Sequence, residues 1–463
     1  MIKKSLIVVS ISAAFFLNAQ DVSVIKNTTE IYSGSNNVGS AKYNSMAGSM
    51  GALGGDASTL MSNPAGIGVA ISSTVSGTLS FENNSNSSSL AGGSKTFSTN
   101  KFNLGNFGGV ATFQLLTETP WKFVNVGANF STQSIEDYIE TPGNNNLIFP
   151  IVAAGDNLSY ERHAYDRTGD VNKMNIGVSA NYDNRIYIGA GLNFHNSQID
   201  QFDIAQLYSS LNNSSDIYHK QYTPFSEISN GFSGSVGIIG KVNQQFRLGA
   251  SIETPTWWNI ERAYNYYESP SDGSAGEDRF LTTPMKATLS AAFVPNKNFA
   301  LNVDYMLGVT KPKYKEYGAA EVELNDFFNE NYKNVSEVRV GAEYRIEQFR
   351  LRGGYAMTTN PFDAISINDL SVNGATSTKS YSDLILGKRN TFALGLGYDF
   401  PSMFVDLGYQ NVSSQYSNPF LQGFSTYNSG YFGNAYIVES DAYLVSDVKN
   451  SKNNIYFTVG WKF

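Results

Sequence analysis

Chemistry needs particular side chains at particular spacings, and in these 463 residues such constellations are sparse. Cysteine is absent, which removes disulfides, thiolate nucleophiles and thiolate metal sites. The three histidines, His163, His195 and His219, are scattered along the chain. Ser197 follows His195 by two residues, but there is no Gly-x-Ser-x-Gly elbow and no His-Glu-x-x-His pair. Gly48–Gly55 is glycine-rich, yet it lacks the pattern and the following lysine of a phosphate cradle, so it reads as a stretch that packs tightly. The expectation is a protein that is not an enzyme, with no metal and no cofactor. A net charge of −8 and no basic patch also give no nucleic-acid footprint.

The remaining candidates suit binding. Asp304, Arg339, Glu343, Arg352 and Asp406 each sit in a segment where residues alternate, on the face opposite large apolar side chains. On a lipid-facing surface an Arg or Lys at mid-depth would cost ~2–4 kcal/mol. These charges are therefore expected to face a lumen, where they pair with one another or with whatever fills it. An arginine could instead hold a ligand carboxylate through two parallel hydrogen bonds. Trp257 and Trp258, with Tyr264–Tyr267 close behind, read either as an aromatic girdle at a membrane interface or as a capture site for an apolar ligand.

The elements that position these residues repeat one theme. At the C-terminus Ile455, Phe457, Val459, Trp461 and Phe463 share one face, while Tyr456, Thr458, Gly460 and Lys462 share the other. Segments 391–398 and 299–307 repeat the pattern, large apolar against small or polar. Such alternation over ten to fourteen residues matches tilted transmembrane strands. Strands are expected over 71–83, 101–116, 122–134, 172–183, 186–199, 230–243, 246–262, 281–294, 298–311, 335–346, 348–358, 388–400, 403–416 and 453–463. Connections alternate in length. Short turns fall at Thr117–Trp121, Asp183–Arg185, Asn243–Gln245, Pro295–Lys297, Glu347 and Phe400–Met403. Long loops fall at 84–100, 135–171, 200–229, 263–280, 312–334, 359–387 and 417–452. Short periplasmic turns and long external loops are the mark of outer-membrane barrels. The predicted fold is all-β: an antiparallel transmembrane barrel of about fourteen strands with an N-terminal plug. Charged residues at 16%, 42 glycines and 58 Phe plus Tyr fit a wall with a lipid-facing band, and the mean hydropathy, slightly below zero, is too low for a helical membrane protein.

The chain divides into three. Residues 1–19 read as a secretion signal, with Lys3 and Lys4 ahead of an apolar run and a small-residue cleavage site at Leu17-Asn18-Ala19. Residues 20–70, rich in Gly, Ser, Ala and Asn, form the expected hatch, and 71–463 the barrel. Gly-x-Gly pairs at 189/191 and 395/397 are expected to be wall positions facing the plug. Gly105, Gly108 and Gly109 interrupt the second strand and mark either a wall kink or close packing. Phe463 ends the last strand as a sorting signal for the barrel assembly machinery would. The location implied is the outer membrane of a Gram-negative bacterium, in contact with its lipids.

Three motifs resemble one family. From Ala41 the chain reads AKYNSMAGSMGALGGDASTLMSNPAGIG, a small-residue run ending in Asn63-Pro64-Ala65-Gly66 just before the first strand. Arg350–Phe362 reads RLRGGYAMTTNPF, and Leu248–Trp258 reads LGASIETPTWW. In this order they resemble the FadL-like outer-membrane transporters of long-chain fatty acids. The resemblance implies a hatch held at Asn63 and Pro64, a hydrophobic small-molecule ligand such as a fatty acid, capture among external loops, and sideways exit through a kinked strand. It implies a passive, monomeric pore. Two alternatives stay open: a haem receptor, since haem takes His or Tyr axial ligands, and a non-transporting scaffold that presents its loops to a protein-secretion partner.

Overall fold

The computed structural model describes residues 22–34, 38–116, 118–267, 272–423 and 429–463. The expected signal, 1–19, and the first two residues of the expected hatch lie outside them. Fourteen antiparallel strands close one barrel. They are β1 Thr74–Leu90, β2 Gly93–Gln114, β3 Trp121–Ile151, β4 Asp156–Tyr182, β5 Ile186–Ser209, β6 Phe225–Lys241, β7 Phe246–Glu253 continued by Trp257–Tyr266, β8 Gly273–Thr282 continued by Lys286–Phe293, β9 Phe299–Gly308, β10 Ser336–Ile346, β11 Phe349–Thr358, β12 Arg389–Asp399, β13 Met403–Phe420 and β14 Leu444–Lys462. Closure runs through β14 and β1, in register from Thr74 opposite Lys462 to Ser89 opposite Asp447. The Phe463 amide donates to the Ser73 carbonyl at 2.9 Å, so pairing continues past the last strand.

Alternation sets the two faces. Ile455, Phe457 and Trp461 are exposed, while Tyr456 and Thr458 between them are buried. Phe392, Leu394 and Leu396 point out around Ala393, which is fully buried. The outer band meets hydrocarbon, and the inner wall is small or polar. This is the wall of a Gram-negative outer-membrane barrel.

Periplasmic ends fall within a few residues of expectation, but the external ends differ. The stretches expected as loops at 84–100 and 135–171 are strand hairpins, and β3 and β4 pair as far as Ile151 opposite Asp156. The reason is physical. Outside the hydrocarbon no face need be apolar, so alternation fades while backbone pairing continues. Asn83–Ser89 is polar on both faces, yet it pairs residue by residue with β2 and β14. The expected continuous strands 246–262 and 281–294 are each broken, at Thr254-Pro255-Thr256 and at Thr283-Pro284-Met285. Proline has no N–H to give a ladder. The breaks lie side by side, and Thr256 N–H bonds Thr283 Oγ1 at 2.9 Å across them. The expected loop 312–334 holds a helix, Ala319–Asn331, whose Leu324, Phe327 and Phe328 recur on one face and are buried. Its Asn325 side chain accepts from the Tyr314 amide at 2.8 Å and donates to the Tyr314 carbonyl at 2.9 Å, docking the helix as a strand would.

Two apolar cores result. One fills the upper lumen, where Val24 and Ile25 meet Trp258, Phe327, Phe328 and Phe362. The other caps the outer ends of β3, β4, β5, β13 and β14, with Leu147, Phe149, Tyr160, Leu207, Phe420 and Leu444. Hydrogen exchange in detergent should therefore show amides of 137–151 and 156–168 protected like those of the membrane band; exchange at the rate of free loops would contradict the paired hairpin.

Candidate functional site

The described residues between Val22 and Val69 run inside the wall in short helical pieces and touch strands on several sides. Ala41 N–H bonds Thr458 Oγ1 at 2.8 Å on β14, Gly51 N–H bonds Asp304 Oδ2 at 3.2 Å on β9, and Asn125 of β3 donates to the Ile67 carbonyl at 2.7 Å. Asn63, Pro64, Ala65 and Gly66 form the start of a 3-10 turn, Pro64–Val69, capped by Asn63. Asn63 Oδ1 accepts from Ala65 N–H at 3.0 Å, and its Nδ2 donates to the carbonyls of Gly51 at 2.8 Å and Ile238 at 3.2 Å. One side chain thus ties two parts of the segment to β6. The wall is thinned to admit it: a Cβ on Gly237 would lie 2.0 Å from Asn63 Oδ1, and one on Gly189 would lie 2.5 Å from the Pro64–Ala65 backbone. Gly191 and Gly395 also face this segment, near Pro64 and Ser45. Gly397 does not, since Asp406 and Arg352 occupy the space before it.

The five charges expected in the lumen sit on the inner face. Arg352 bonds Asp406 at 2.5 Å and Glu343 at 2.6 Å. Glu343 also meets Arg350 at 2.8 Å. Asp304 accepts from Asn302 and Gly51, and Arg339 pairs with Glu337 at 2.7 Å. These groups find their partners within the protein. Trp257 and Trp258 separate, as strand neighbours must: Trp257 is 51% exposed on the outer face, while Trp258, 2% exposed, packs edge-on against Tyr32 with ring centroids 4.9 Å apart.

A buried cluster that the sequence did not disclose clamps the first helix, α1 Val22–Asn27. Lys26 Nζ reaches Asp137 at 3.0 Å and the Tyr416 hydroxyl at 3.1 Å. Arg167, 1% exposed, donates to Asn27 at 2.7 Å, Glu30 at 2.6 Å and Asp137 at 3.0 Å. Asp137 and Arg167 lie in the stretch read as loop 135–171, where no alternation assigned them a face.

The clamp grips β3 just past the point where that strand leaves its neighbour. β2 and β3 pair only from Asn106 opposite Ser131 to Gln114 opposite Phe123. At the end of this ladder the β1–β2 register slips by one residue and leaves Gly105 as a bulge. Beyond it β3 leans inward onto β1, with Asn86 Nδ2 bonding Asp137 Oδ1 at 2.9 Å and the Tyr138 carbonyl at 3.1 Å. Side chains alone bridge the seam between β2 and β3: Asn103 to Ser134, Lys101 to Glu136 at 2.7 Å, and Lys95 to Glu140. Phe102, Leu104 and Phe107 are exposed on the outer face at its lower end, so the seam begins inside the lipid band. Gly105 is part of this opening. Gly108 and Gly109 lie in the paired region below, where Gly108 packs on Ala57 and Gly109 on Thr74.

Two cavities lead toward it. One lies between Thr29–Gly34 and the upper ends of β8 to β12. It shares Glu30, Arg389 and Ser414 with a second, which is lined also by Glu82, Gln133 and Lys452 beside the seam.

A closed fourteen-stranded barrel filled by its own N-terminal segment and split at one seam defines a class, the outer-membrane barrels with the FadL-like fold. The solved structures it matches include a Pseudomonas aeruginosa FadL homologue, at TM-score 0.59 and 13% identity over 92% of this chain and 98% of that one. The Pseudomonas putida toluene transporter TodX matches at TM-score 0.57 and 13% identity, over 92% and 99%. The monoaromatic hydrocarbon channel CymD matches at 0.52 and 12%, over 92% and 98%. At such identity the likeness is one of fold. No family model matches the chain, and no curated protein matches it in sequence.

Removing one partner of a buried ion pair typically costs ~3–5 kcal/mol, because the other charge stays buried alone. Arg167→Ala should therefore lower unfolding stability in detergent by an amount in that range, and Asn63→Ala by about 1–2 kcal/mol from the lost cap and wall bonds. Urea titration of the folded barrel measures both; a neutral Arg167→Ala would show that the clamp does not hold the segment.

Proposed function

We propose that this barrel is a passive outer-membrane channel for long-chain fatty acids or other small hydrophobic molecules, which enter from outside and leave sideways into the membrane. The observation that carries this reading is the β2–β3 seam, where a ladder lost beside an exposed apolar band adjoins a lumen cavity. An apolar ligand gains about 0.8 kcal/mol per CH₂ on entering hydrocarbon, so release toward lipid needs no energy source. Solved structures that share the fold include a toluene transporter and a monoaromatic hydrocarbon channel, both of which pass hydrophobic molecules.

In this reading residues 20–70 act as the hatch. Asn63 and Pro64 fix its lower part to the wall, and the clamp on Lys26 and Glu30 holds its upper part against β3. A ligand that pushes α1 aside loosens Asp137 and with it the inward bend of β3. Passage and seam are thus coupled through one strand. The charged lining of the second cavity, Glu82, Arg389 and Lys452 among it, suits a ligand with one polar end and an apolar body. Phe463, exposed at the periplasmic end beside Trp461, serves recognition by the barrel assembly machinery.

Because the chain has no cysteine, a pair placed across the seam is unambiguous. Asn103→Cys with Ser134→Cys, whose native side chains touch, should form a disulfide that shuts the seam. Uptake of a labelled fatty acid or of toluene should fall to the level of cells lacking the protein on oxidation and return on reduction. Undiminished uptake by the oxidised protein would exclude sideways exit and turn attention to the ordered external cap as a docking surface for a secretion partner.

A further inference from the structure

Where β3 departs, it leaves an edge of β2 open. β2 pairs with β1 from Gly93 to Val110, but its ladder with β3 begins only at Asn106. The edge turned away from β1 therefore carries no ladder from Gly93 to Gly105, roughly 40 Å of strand at ~3.3 Å per residue. In a strand paired on one side, alternate residues aim their N–H and C=O to the other. On the β3 side of the seam such groups are taken up: the Glu136 carbonyl accepts from Asn84 and Thr99, and that of Tyr138 from Asn86. Among the described residues no further backbone bond reaches the open edge of β2.

The edge is also held in shape. Inner-face side chains tie it to β3: Lys95 to Glu140, Lys101 to Glu136 at 2.7 Å, and Phe97 edge-on to Tyr138 with ring centroids 5.1 Å apart. Natural proteins guard open edges with charge, proline or a bulge. Here both lysines are drawn inward onto glutamates, no proline falls between Gly93 and Gly105, and the bulge lies at the base. The outer face at Ser94, Thr96, Ser98 and Asn100 is exposed and uncharged. The opposite edge shows what such a strand takes. There β1 reads NNSNSSS from Asn83 to Ser89, and its side chains pair across: Asn83 donates to Asn100 at 2.9 Å, Thr96 to Ser87 at 3.0 Å and Ser98 to Ser85 at 3.0 Å.

We propose that the open edge of β2 above the membrane accepts an extended, uncharged, Ser/Thr/Asn-rich segment of another polypeptide as an added antiparallel strand. An acyl chain has no donors or acceptors for a row of amides and carbonyls. A second copy of this chain does not fit either. Copies in one membrane are related by rotation about its normal, so their β2 strands run the same way and lean oppositely. At a tilt of about 35–45° they cross steeply and form no ladder. The surface is distinct from the uptake route, and its test needs no transported ligand.

Because the chain has no cysteine, disulfide trapping locates an added strand cleanly. The full chain in detergent would carry Ser94→Cys at the top of the edge or, as a control, Val152→Cys, 88% exposed on an external hairpin tip. The probe is a synthetic peptide with the sequence of residues 82–90 and a C-terminal cysteine, which antiparallel pairing brings to position 94. In a glutathione buffer the mixed disulfide should be favoured at position 94 over position 152 by at least about tenfold. Two further peptides, N-methylated on alternate amides, each block one edge of the probe. One should lose that advantage and the other keep it, since an added strand uses a single edge. Equal trapping at the two positions, or the same result with both methylated peptides, would overturn the proposal.

Discussion

In hydrocarbon there is no water to bond an amide or a carbonyl, so every backbone group of the wall must be paired within the wall. That requirement forces the strands into a closed ring, brings Phe463 and Ser73 together where the chain's last and first wall residues meet, and fixes which side chains face lipid. It also makes any lost ladder informative. Pairing between β2 and β3 stops at Asn106 and Ser131, next to Phe107 and Leu104 on the outer face. Such a gap persists only where side chains and a lumen take over the unpaired groups, as Asn84 and Thr99 do here for the Glu136 carbonyl and Asn86 for that of Tyr138. The paired breaks at Pro255 and Pro284 contrast with it: there Thr256 and Thr283 restore bonding and the wall stays shut.

Filling the ring is the second constraint. A lumen this wide would stand open unless the N-terminal segment occupied it, and the segment fits because the inner wall is cut back to glycine where the segment presses closest, at Gly189, Gly237 and Gly395. Buried ion pairs then fix position more than they add stability. Arg352 with Asp406 and Glu343 stiffens the wall low down, while Arg167 with Asp137 and Glu30 links the segment to the bent strand. The placement of that second cluster joins the filling of the lumen to the shape of the seam.

Much of this was legible in the residues. Ile455 to Phe463 and Phe392 to Tyr398 carry an alternation that only a wall with one apolar face explains, and the short turns located the periplasmic rim. The restriction that proline puts on Asn63 and on itself was legible, and in the structure Asn63 is extended and caps the turn that Pro64 begins. The external halves of β3 and β4 were not legible, because outside lipid neither face must be apolar and the period vanishes. Asp137 and Arg167 were hidden for the same reason. The helix Ala319–Asn331 escaped because its apolar positions are few and lie inside a polar stretch. Trp258 could be assigned to the inner face only once the strand break at Pro255 set its phase. Gly105 was visible as an interruption, but its meaning depends on β3 departing beside it, a tertiary fact.

The measurement that bears most directly on the account is a crystal structure of the protein soaked with an iodinated hydrophobic molecule, with the halogen located by anomalous scattering. Iodine sites in the lumen near Glu30, Arg389 and Ser414 and in the seam between Gly105 and Gln133 are the predicted result. Iodine confined to the outer lipid-facing surface, or lying on the periplasmic side of Asn63 and Pro64, would contradict sideways passage through the wall.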